Sequence, residues 1–128
     1  MIDYSGIRVL IVDDERFIRE SLVEFFRDYR FKVSWADSAE SALSGLKRNM
    51  HDIAVIDLRL PGMSGDSLIQ EIHKIDPAFR FLIHTGSVGY CLSEDLRAIG
   101  MKPEHVFYKP QLDLTIMVKM IVSLVNHT

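Results

Sequence analysis

The chain has 128 residues, of which 48% are hydrophobic and 26% are charged, as is ordinary for a soluble globular protein. The formal net charge of −3 disfavours a general nucleic-acid binder, which would present a basic patch. No apolar stretch approaches the roughly 20 residues that span a bilayer, and the amino terminus lacks the basic region of a signal peptide. The single cysteine, Cys91, excludes an internal disulfide framework, so we expect a cytoplasmic protein.

Short apolar runs alternate with longer amphipathic ones in the first half of the chain. The run Arg8–Val12 predicts a buried strand, and apolar residues at helical spacing predict a helix over 15–29. Alternating polarity over 31–35 is typical of a strand at a sheet edge. A helix follows over 38–49, and the apolar run Ile53–Ile56 predicts a strand that ends at an aspartate.

The same alternation continues in the second half. It predicts a helix over 64–75, a strand over 80–84, a short helix over 93–100, a strand at Val106–Tyr108 and a helix over 112–126. Five strands alternating with five helices indicate an α/β fold, in which a parallel sheet is covered on both faces. In such sheets, functional residues lie at the carboxyl ends of the strands.

Polar side chains follow four of these five strands. Asp13 and Asp14 follow the first, Asp57 the third, Thr85 the fourth and Lys109 the fifth. Each alone has an ordinary structural explanation: a helix cap, a turn carboxylate, a loop hydroxyl or a solvated charge. Together they predict a cluster at one edge of the sheet, where neighbouring carboxylates are unfavourable unless they share a cation. Oxygen ligands of this kind favour Mg²⁺.

Four motifs of the sequence resemble those of receiver domains from two-component response regulators: VLIVDDE, VIDLRLPGMSG, HTGS and YKP. The resemblance covers essentially the whole chain. It implies a flavodoxin-like, doubly wound sheet of five parallel strands in the order 2-1-3-4-5 with five helices. We therefore expect residues 1–128 to form a single receiver domain, structured from about residue 6 to about residue 126.

The resemblance also implies a phosphorylation site with bound Mg²⁺. Asp57 corresponds to the phosphoacceptor of the family. Asp14 corresponds to the acid that binds the metal directly, and Asp13 to the one that acts largely through water. The backbone carbonyl of Arg59 corresponds to another metal ligand, so the expected metal site comprises Asp13, Asp14, Asp57 and Arg59.

The hydroxyl and the ammonium group also have counterparts in the family. Thr85 corresponds to the residue that turns to hydrogen-bond the phosphoryl group, and Lys109 to the lysine that pairs with a phosphoryl oxygen. The bond between Lys109 and Pro110 is expected to be cis. The implied function is a phosphorelay switch. It accepts a phosphoryl group from a sensor histidine kinase or a phosphotransfer protein, and it catalyses only its own phosphorylation and dephosphorylation.

The fourth and fifth strands depart from the family pattern. Many receivers carry an aromatic residue three positions before the lysine, where this chain has Val106. Phe107 points to the opposite face, so only Tyr108 could substitute, after a shift of register. By the same alternation, His84 should face away from Thr85 and be a packed histidine rather than a catalytic one.

The last helix is apolar over more than half of its circumference. Polar residues occupy only a narrow arc, and the apolar positions outside a core stripe include Ile116 and Met120. This surplus predicts a homodimer or effector contact, because exposed apolar surface often marks an interface. The alternative is a helix that is buried more deeply than usual.

Three other functions compete with a phosphorylated receiver. Phosphatases of the haloacid dehalogenase type also use an aspartate and Mg²⁺, but their paired acids lie at one strand end. A degenerate receiver would act only as a docking module, independently of phosphorylation. A DNA-binding regulator would need residues outside this chain, so we expect no direct contact with nucleic acid or membrane.

Overall fold

The computed structural model of the chain describes residues 4–126 and contains one sheet of five parallel strands in the order β2-β1-β3-β4-β5. This order and the α/β fold confirm the architecture expected from the sequence. None of the helices within 4–126 is long and apolar enough to cross a membrane. In chain order the elements are β1 (Arg8–Val12), α1 (Arg16–Asp28), β2 (Lys32–Ala36), α2 (Ala39–Ser44), β3 (Ile53–Ile56), α3 (Gly65–Ile75), β4 (Arg80–Thr85), α4 (Glu94–Ala98), a 3-10 turn (Pro103–His105), β5 (Val106–Tyr108) and α5 (Thr115–Asn126).

The central strand β3 is fully buried because helices cover both faces of the sheet. Its register places Val55 beside Ile11 of β1 and beside Leu82 of β4. The outer strand β2 pairs only with β1, and its Trp35 is 51% exposed. The edge position predicted from its alternating polarity is therefore confirmed.

Two apolar cores lie on opposite faces of the sheet. On one face, α2, α3 and α4 pack against side chains of the strands that include Ala54, Ile56 and Ile83. On the other, α1 and α5 pack against Val55, Leu82 and other residues of the strands. Side chains along a strand alternate between the two cores, so each strand is packed on both faces. The residue that ends each strand is therefore held at a fixed position at the edge of the sheet.

The second helix is shorter than the sequence predicts, ending at Ser44 instead of near Asn49. Gly45 caps it, and Asn49 adopts a positive φ of 62° that is incompatible with a continuing helix. Tertiary contacts hold this segment, since the Asn49 N–H donates to Asp76 Oδ2 at 3.1 Å. The last helix begins at Thr115 rather than at 112, because Asp113 Oδ1 accepts the Thr115 N–H at 3.0 Å.

Most of the apolar surface of α5 packs against the core. Met117, Val118 and Ile121 are buried, while Ile116 is 40% exposed. The remaining apolar residues of the helix are partly buried against the same core: Met120, Val122, Leu124 and Val125. Deeper burial thus accounts for much of the apolar circumference.

Candidate functional site

Three aspartates meet at the carboxyl end of the sheet. Asp13 follows β1 and its N–H donates to Ala36 O at 3.2 Å, while Asp57 follows β3 and its N–H donates to Val12 O at 2.9 Å. These backbone bonds extend the strand ladders and hold both carboxylates at the edge. Asp13 and Asp57 are 1% and 4% exposed, whereas Asp14 is exposed. One carboxylate oxygen from each of the three lies within 4.8 Å of the others.

Lys109 extends from the end of β5 into the acidic cluster. Its Nζ lies 3.0 Å from Asp13 Oδ2, 3.3 Å from Asp57 Oδ2 and 3.3 Å from Glu15 Oε2. Burial alone would lower the pKa of Lys109, but the hydrogen bond and charge of Asp13 and the charges of Asp57 and Glu15 raise it above its ordinary value. The lysine is therefore a cation, and the backbone bond from its N–H to Thr85 O, at 2.7 Å, holds its strand in place.

The two buried carboxylates are poorly compensated by this one cation. Burial raises the pKa of Asp57 above its ordinary value, although Lys109 and the Arg59 N–H act in the opposite direction. Burial likewise raises the pKa of Asp13, against the effects of the Glu15 N–H and of Lys109. The ionised forms of both carboxylates are thus disfavoured in the absence of a further cation. Clustered carboxylate oxygens are the hard ligands that a divalent cation such as Mg²⁺ prefers.

Thr85 lies at the end of β4, and Arg59 lies in the loop that follows β3 and Asp57. Thr85 is fully buried at the end of β4, and its Oγ1 accepts the N–H of Ser87 at 3.0 Å. The Arg59 N–H donates to Asp57 Oδ1 at 3.3 Å, so the loop after β3 folds back over the carboxylate. The bond between Lys109 and Pro110 is cis, as the resemblance implied.

The fifth strand has the face pattern expected from its alternation. Phe107 is buried in the core beneath α1 and α5, while Val106 packs toward the opposite core. Tyr108 is 43% exposed, and its hydroxyl donates to Tyr90 O at 3.0 Å in the loop after β4. No aromatic side chain occupies position 106, so the contact between β5 and the β4–α4 loop is made by Tyr108.

Gly65, the last residue of VIDLRLPGMSG, supports the acceptor loop in a way that sequence reasoning missed. A Cβ at this position would lie 2.2 Å from Asp57 O and 2.8 Å from Leu58 Cα. The first turn of α3 can therefore approach the backbone of Asp57 only because residue 65 lacks a side chain. The Gly65 N–H also donates to Leu58 O at 2.9 Å.

Arg19 supports the acidic loop from α1, and it too was missed from the sequence. Its Nη1 donates to Asp13 O at 3.0 Å, and its guanidinium lies 4.3 Å from the ring centroid of Trp35. A positive side chain is thereby held beneath the two adjacent aspartates. The position of Arg19, one helical turn into α1, was the available signal, but arginines on amphipathic helices are usually solvated.

The residues predicted from the strand ends thus come together at one edge of the sheet. Asp13, Asp57 and Lys109 are in direct contact, Asp14 completes the oxygen cluster, and Thr85 lies at the next strand end.

Comparisons with known proteins agree with this arrangement. A family model for the response regulator receiver domain matches residues 9–118. A response regulator receiver protein of Anaeromyxobacter sp. (strain Fw109-5) is 34% identical over 94 residues, which make up 73% of this chain and 40% of that protein. This chain accordingly spans less than half the length of that relative.

Solved structures show the same architecture. The non-phosphorylated HemR receiver domain of Leptospira biflexa has a TM-score of 0.79 and 27% identity, covering 96% of this chain and 97% of that one. A chain of the CheX–CheY complex with BeF3 and Mg²⁺ from Borrelia burgdorferi has a TM-score of 0.78 and 27% identity, covering 92% of this chain and 88% of that one. The chain therefore belongs to the response regulator receiver domain family, the phosphorelay module of two-component systems.

Proposed function

We propose that Asp57 is the phosphoacceptor of this receiver domain, and that the donor is a phosphohistidine on a sensor histidine kinase or a phosphotransfer protein. The observation that carries the proposal is the position of Asp57. Its carboxylate ends a rigid, buried strand, lies 3.3 Å from Lys109 Nζ and shares an oxygen cluster with Asp13 and Asp14. A carboxylate placed in this way can serve as a covalent nucleophile toward a phosphoryl group.

In the transfer step, a carboxylate oxygen of Asp57 forms a bond to the phosphorus atom. The bond from phosphorus to the histidine nitrogen of the donor breaks, and the departing imidazole keeps the electron pair. Such a transfer depends on positioning and on neutralisation of charge rather than on a strong base. Lys109 is placed to pair with a phosphoryl oxygen, since its ammonium already contacts Asp57.

Asp13, Asp14, Asp57 and the backbone carbonyl of Arg59 would hold Mg²⁺ beside the acceptor. The donor set fits the ion because it consists of hard oxygens, three of them from carboxylates within 4.8 Å of one another. A bound Mg²⁺ neutralises charge that would otherwise repel an incoming phosphoryl group. The same neutralisation relieves the repulsion between Asp13 and Asp57 in the resting domain.

Thr85 would report phosphorylation to the surface. Its Oγ1 accepts a hydrogen bond from the Ser87 N–H, and its own hydroxyl hydrogen can be donated to a phosphoryl oxygen of Asp57. Turning toward Asp57 pulls on the β4–α4 loop, which is also tied to β5 through the bond from Tyr108 to Tyr90 O. Because residue 106 is valine, we propose that the switch uses backbone motion and this tyrosine contact. Attack of water on the phosphoryl group resets it, so the domain catalyses only its own turnover.

Labelling with a small phosphodonor tests the assignment. The purified chain is incubated with acetyl phosphate and Mg²⁺, and its intact mass is followed for the addition of one phosphoryl group. We expect labelling of the wild type, which is lost when a chelator removes Mg²⁺ and is lost entirely in Asp57→Asn. The matched control is Asp37→Asn, because Asp37 is an exposed aspartate that follows β2 at the same end of the sheet.

Two results would contradict the proposal. Stoichiometric labelling of Asp57→Asn would show that another residue is the acceptor. Equal loss of labelling in Asp37→Asn would show that any change of charge at this edge prevents the reaction.

A homodimer or effector contact through α5, a cytoplasmic location and a single receiver unit over residues 1–128 remain predictions. Partial burial of most of the helix reduces the apolar surface available for such a contact. A docking module independent of phosphorylation is less well supported, because Asp57, Lys109 and the neighbouring acids converge as phosphorylation requires.

A further inference from the structure

The carboxylate of Asp14 has no anchor of its own. Asp14 is exposed, and within residues 4–126 its side chain forms no hydrogen bond or ion pair. The carboxylate of Asp13, by contrast, accepts the Glu15 N–H at 2.9 Å and lies 3.0 Å from Lys109 Nζ. The direction in which the Asp14 side chain points therefore depends on the backbone that carries it.

That backbone is fixed at the peptide unit between Asp13 and Asp14. Asp13 O accepts a buried hydrogen bond from Arg19 Nη1 at 3.0 Å, and the Asp13 N–H donates to Ala36 O at 3.2 Å. Arg19 also holds the next residue of the loop, because its own N–H donates to Glu15 O at 2.9 Å. The loop that carries the two acids is therefore held by α1 on one side and by β2 on the other.

Arg19 is itself held in place by Trp35. The arginine is only 9% exposed, and its Cζ lies 4.3 Å from the centroid of the Trp35 ring. Stacking of a planar guanidinium on an indole is favourable and restricts the orientation of the cation. No carboxylate among residues 4–126 forms an ion pair with Arg19, so its guanidinium is oriented by the indole ring and by Asp13 O.

The charge of Arg19 and its hydrogen bond have opposite effects on a cation in the acidic cluster. A guanidinium beside the two aspartates repels a divalent cation, so its charge alone would weaken the binding of Mg²⁺. The hydrogen bond would strengthen that binding, since groups that orient metal ligands typically contribute a factor of about 10–100 to affinity. Because the guanidinium faces a carbonyl oxygen, the partial negative charge of that oxygen offsets part of the repulsion.

We propose that Arg19 is a positioning residue for the metal site, and that stacking on Trp35 keeps it in place. Through its bond to Asp13 O, Arg19 holds the peptide unit that directs the Asp14 carboxylate into the cluster with Asp13 and Asp57. This role depends on the Mg²⁺ site proposed above, and it adds two residues that are not among the ligands. Trp35, half exposed at the edge of the sheet, thereby contributes to the affinity for the cation.

Titration of MgCl2 into the isotopically labelled chain measures this contribution. The Kd is taken from the NMR shifts of the backbone amides of residues 13–15 and 57, and the free energy of unfolding without metal is measured with urea. We expect Arg19→Met to weaken Mg²⁺ binding about tenfold, although it removes a positive charge. Arg19→Lys can still donate to the carbonyl but cannot stack as a plane, so its loss should be about threefold.

Variants of Trp35 test the same contact without changing any group of the acidic loop. Trp35→Leu removes the ring and should weaken Mg²⁺ binding about threefold, whereas Trp35→Phe keeps a ring and should bind like the wild type. The matched control is Arg27→Met. Arg27 is exposed, lines the same surface cavity as Arg19 and Trp35, and lies about two helical turns further along α1, so its loss should leave the Kd unchanged.

Unchanged or tighter binding of Mg²⁺ by Arg19→Met would overturn this role, even if the variant were less stable. Equal weakening in Arg27→Met, or wild-type affinity in Trp35→Leu, would also overturn it. If Arg19→Met does not fold, the comparison of Trp35→Leu with Trp35→Phe decides the matter. A wild-type chain that does not bind Mg²⁺ would instead overturn the metal site itself, and the role of Arg19 with it.

Discussion

The two ends of the sheet handle charge in opposite ways. At the amino end, Arg8 and Asp52 form a one-to-one pair joined by several hydrogen bonds. At the carboxyl end, Lys109 alone contacts Asp13, Asp57 and Glu15, and Asp14 lies in the same cluster. Among the described residues, the acids at the carboxyl end outnumber the one lysine that contacts them. At the amino end, the acid of the pair is matched by one arginine.

The amino end is satisfied without any ligand. Arg8 Nη2 lies 2.9 Å from Asp52 Oδ1, Arg8 Nε donates to Asp52 Oδ2 at 3.2 Å, and the Arg8 N–H donates to the same oxygen at 2.8 Å. Although burial acts in the opposite direction, these bonds hold the pKa of Asp52 below its ordinary value. Charges at this end therefore stabilise the fold as it stands.

The comparison separates charges that stabilise the fold from charges that oppose it. A carboxylate with a lowered pKa is held by partners that favour its charge, whereas one with a raised pKa is ionised at the expense of the fold. Asp52 belongs to the first group, and Asp13 and Asp57 belong to the second. Buried carboxylates with raised pKa values at the edge of a sheet are typical of ligand-binding and catalytic sites.

The largest effect is expected from Gly65→Ala, which would disrupt the carboxyl end through its backbone. The added Cβ would lie 2.2 Å from Asp57 O, so α3 and the acceptor loop must separate. We expect a loss of about 2–4 kcal/mol in the free energy of unfolding, measured with urea, together with slower labelling by acetyl phosphate. The control is Gly45→Ala, since a Cβ there meets nothing within 4 Å. Equal stability of the two variants would refute the close-packing argument.

Asp52→Asn should weaken the amino end. We expect a loss of about 1–2 kcal/mol in the free energy of unfolding at neutral pH, because a partly exposed charged pair and its hydrogen bonds are weakened. The pKa of Asp52 is lowered in the fold, so this advantage of the wild type is fully present above the ordinary value of 3.8 and is lost as the pH falls from there through the lowered value. Urea titrations at pH 7 and pH 3 measure the difference. If the wild type and Asp52→Asn differed in free energy of unfolding by the same amount at pH 7 and at pH 3, the ionic explanation would be wrong.

The smallest effect, and the one with the opposite sign, is expected for Asp57→Asn in the absence of divalent cations. Its raised pKa means that the ionised carboxylate opposes folding at neutral pH, so removal of the charge should stabilise the chain, on the order of 1 kcal/mol or less. Thermal unfolding with a chelator present would show a higher Tm for the variant. A lower Tm would mean that the contact with Lys109 outweighs burial. The same substitution should abolish labelling, so stability and function would change in opposite directions.

Local patterns in the sequence were sufficient to predict the sheet and the residues at its edge. Apolar runs that end abruptly at Asp13, Asp57 and Lys109 identify strand ends, and parallel strands bring those ends together whatever the details of packing. The resemblance supplied the strand order and the expected roles. The cis bond before Pro110 also came from the resemblance alone.

What could not be predicted depends on contacts between distant parts of the chain. The segment after Ser44 has residues compatible with a helix, but the hydrogen bond from the Asn49 N–H to Asp76 holds Asn49 in a non-helical conformation. The need for glycine at position 65 arises from the backbone of Asp57, and the support given by Arg19 arises from the loop after β1. Neither contact leaves a periodic signal in the sequence.

The stacking of Arg19 on Trp35 gives this domain a built-in optical label. The chain has one tryptophan, and its indole is half exposed at the sheet edge, where fluorescence is sensitive to the surroundings. The cation above it is the same side chain that donates to Asp13 O. Emission from one indole is thereby linked through a single arginine to the acidic loop, so we expect its intensity to change when the Mg²⁺ proposed for that loop is titrated in.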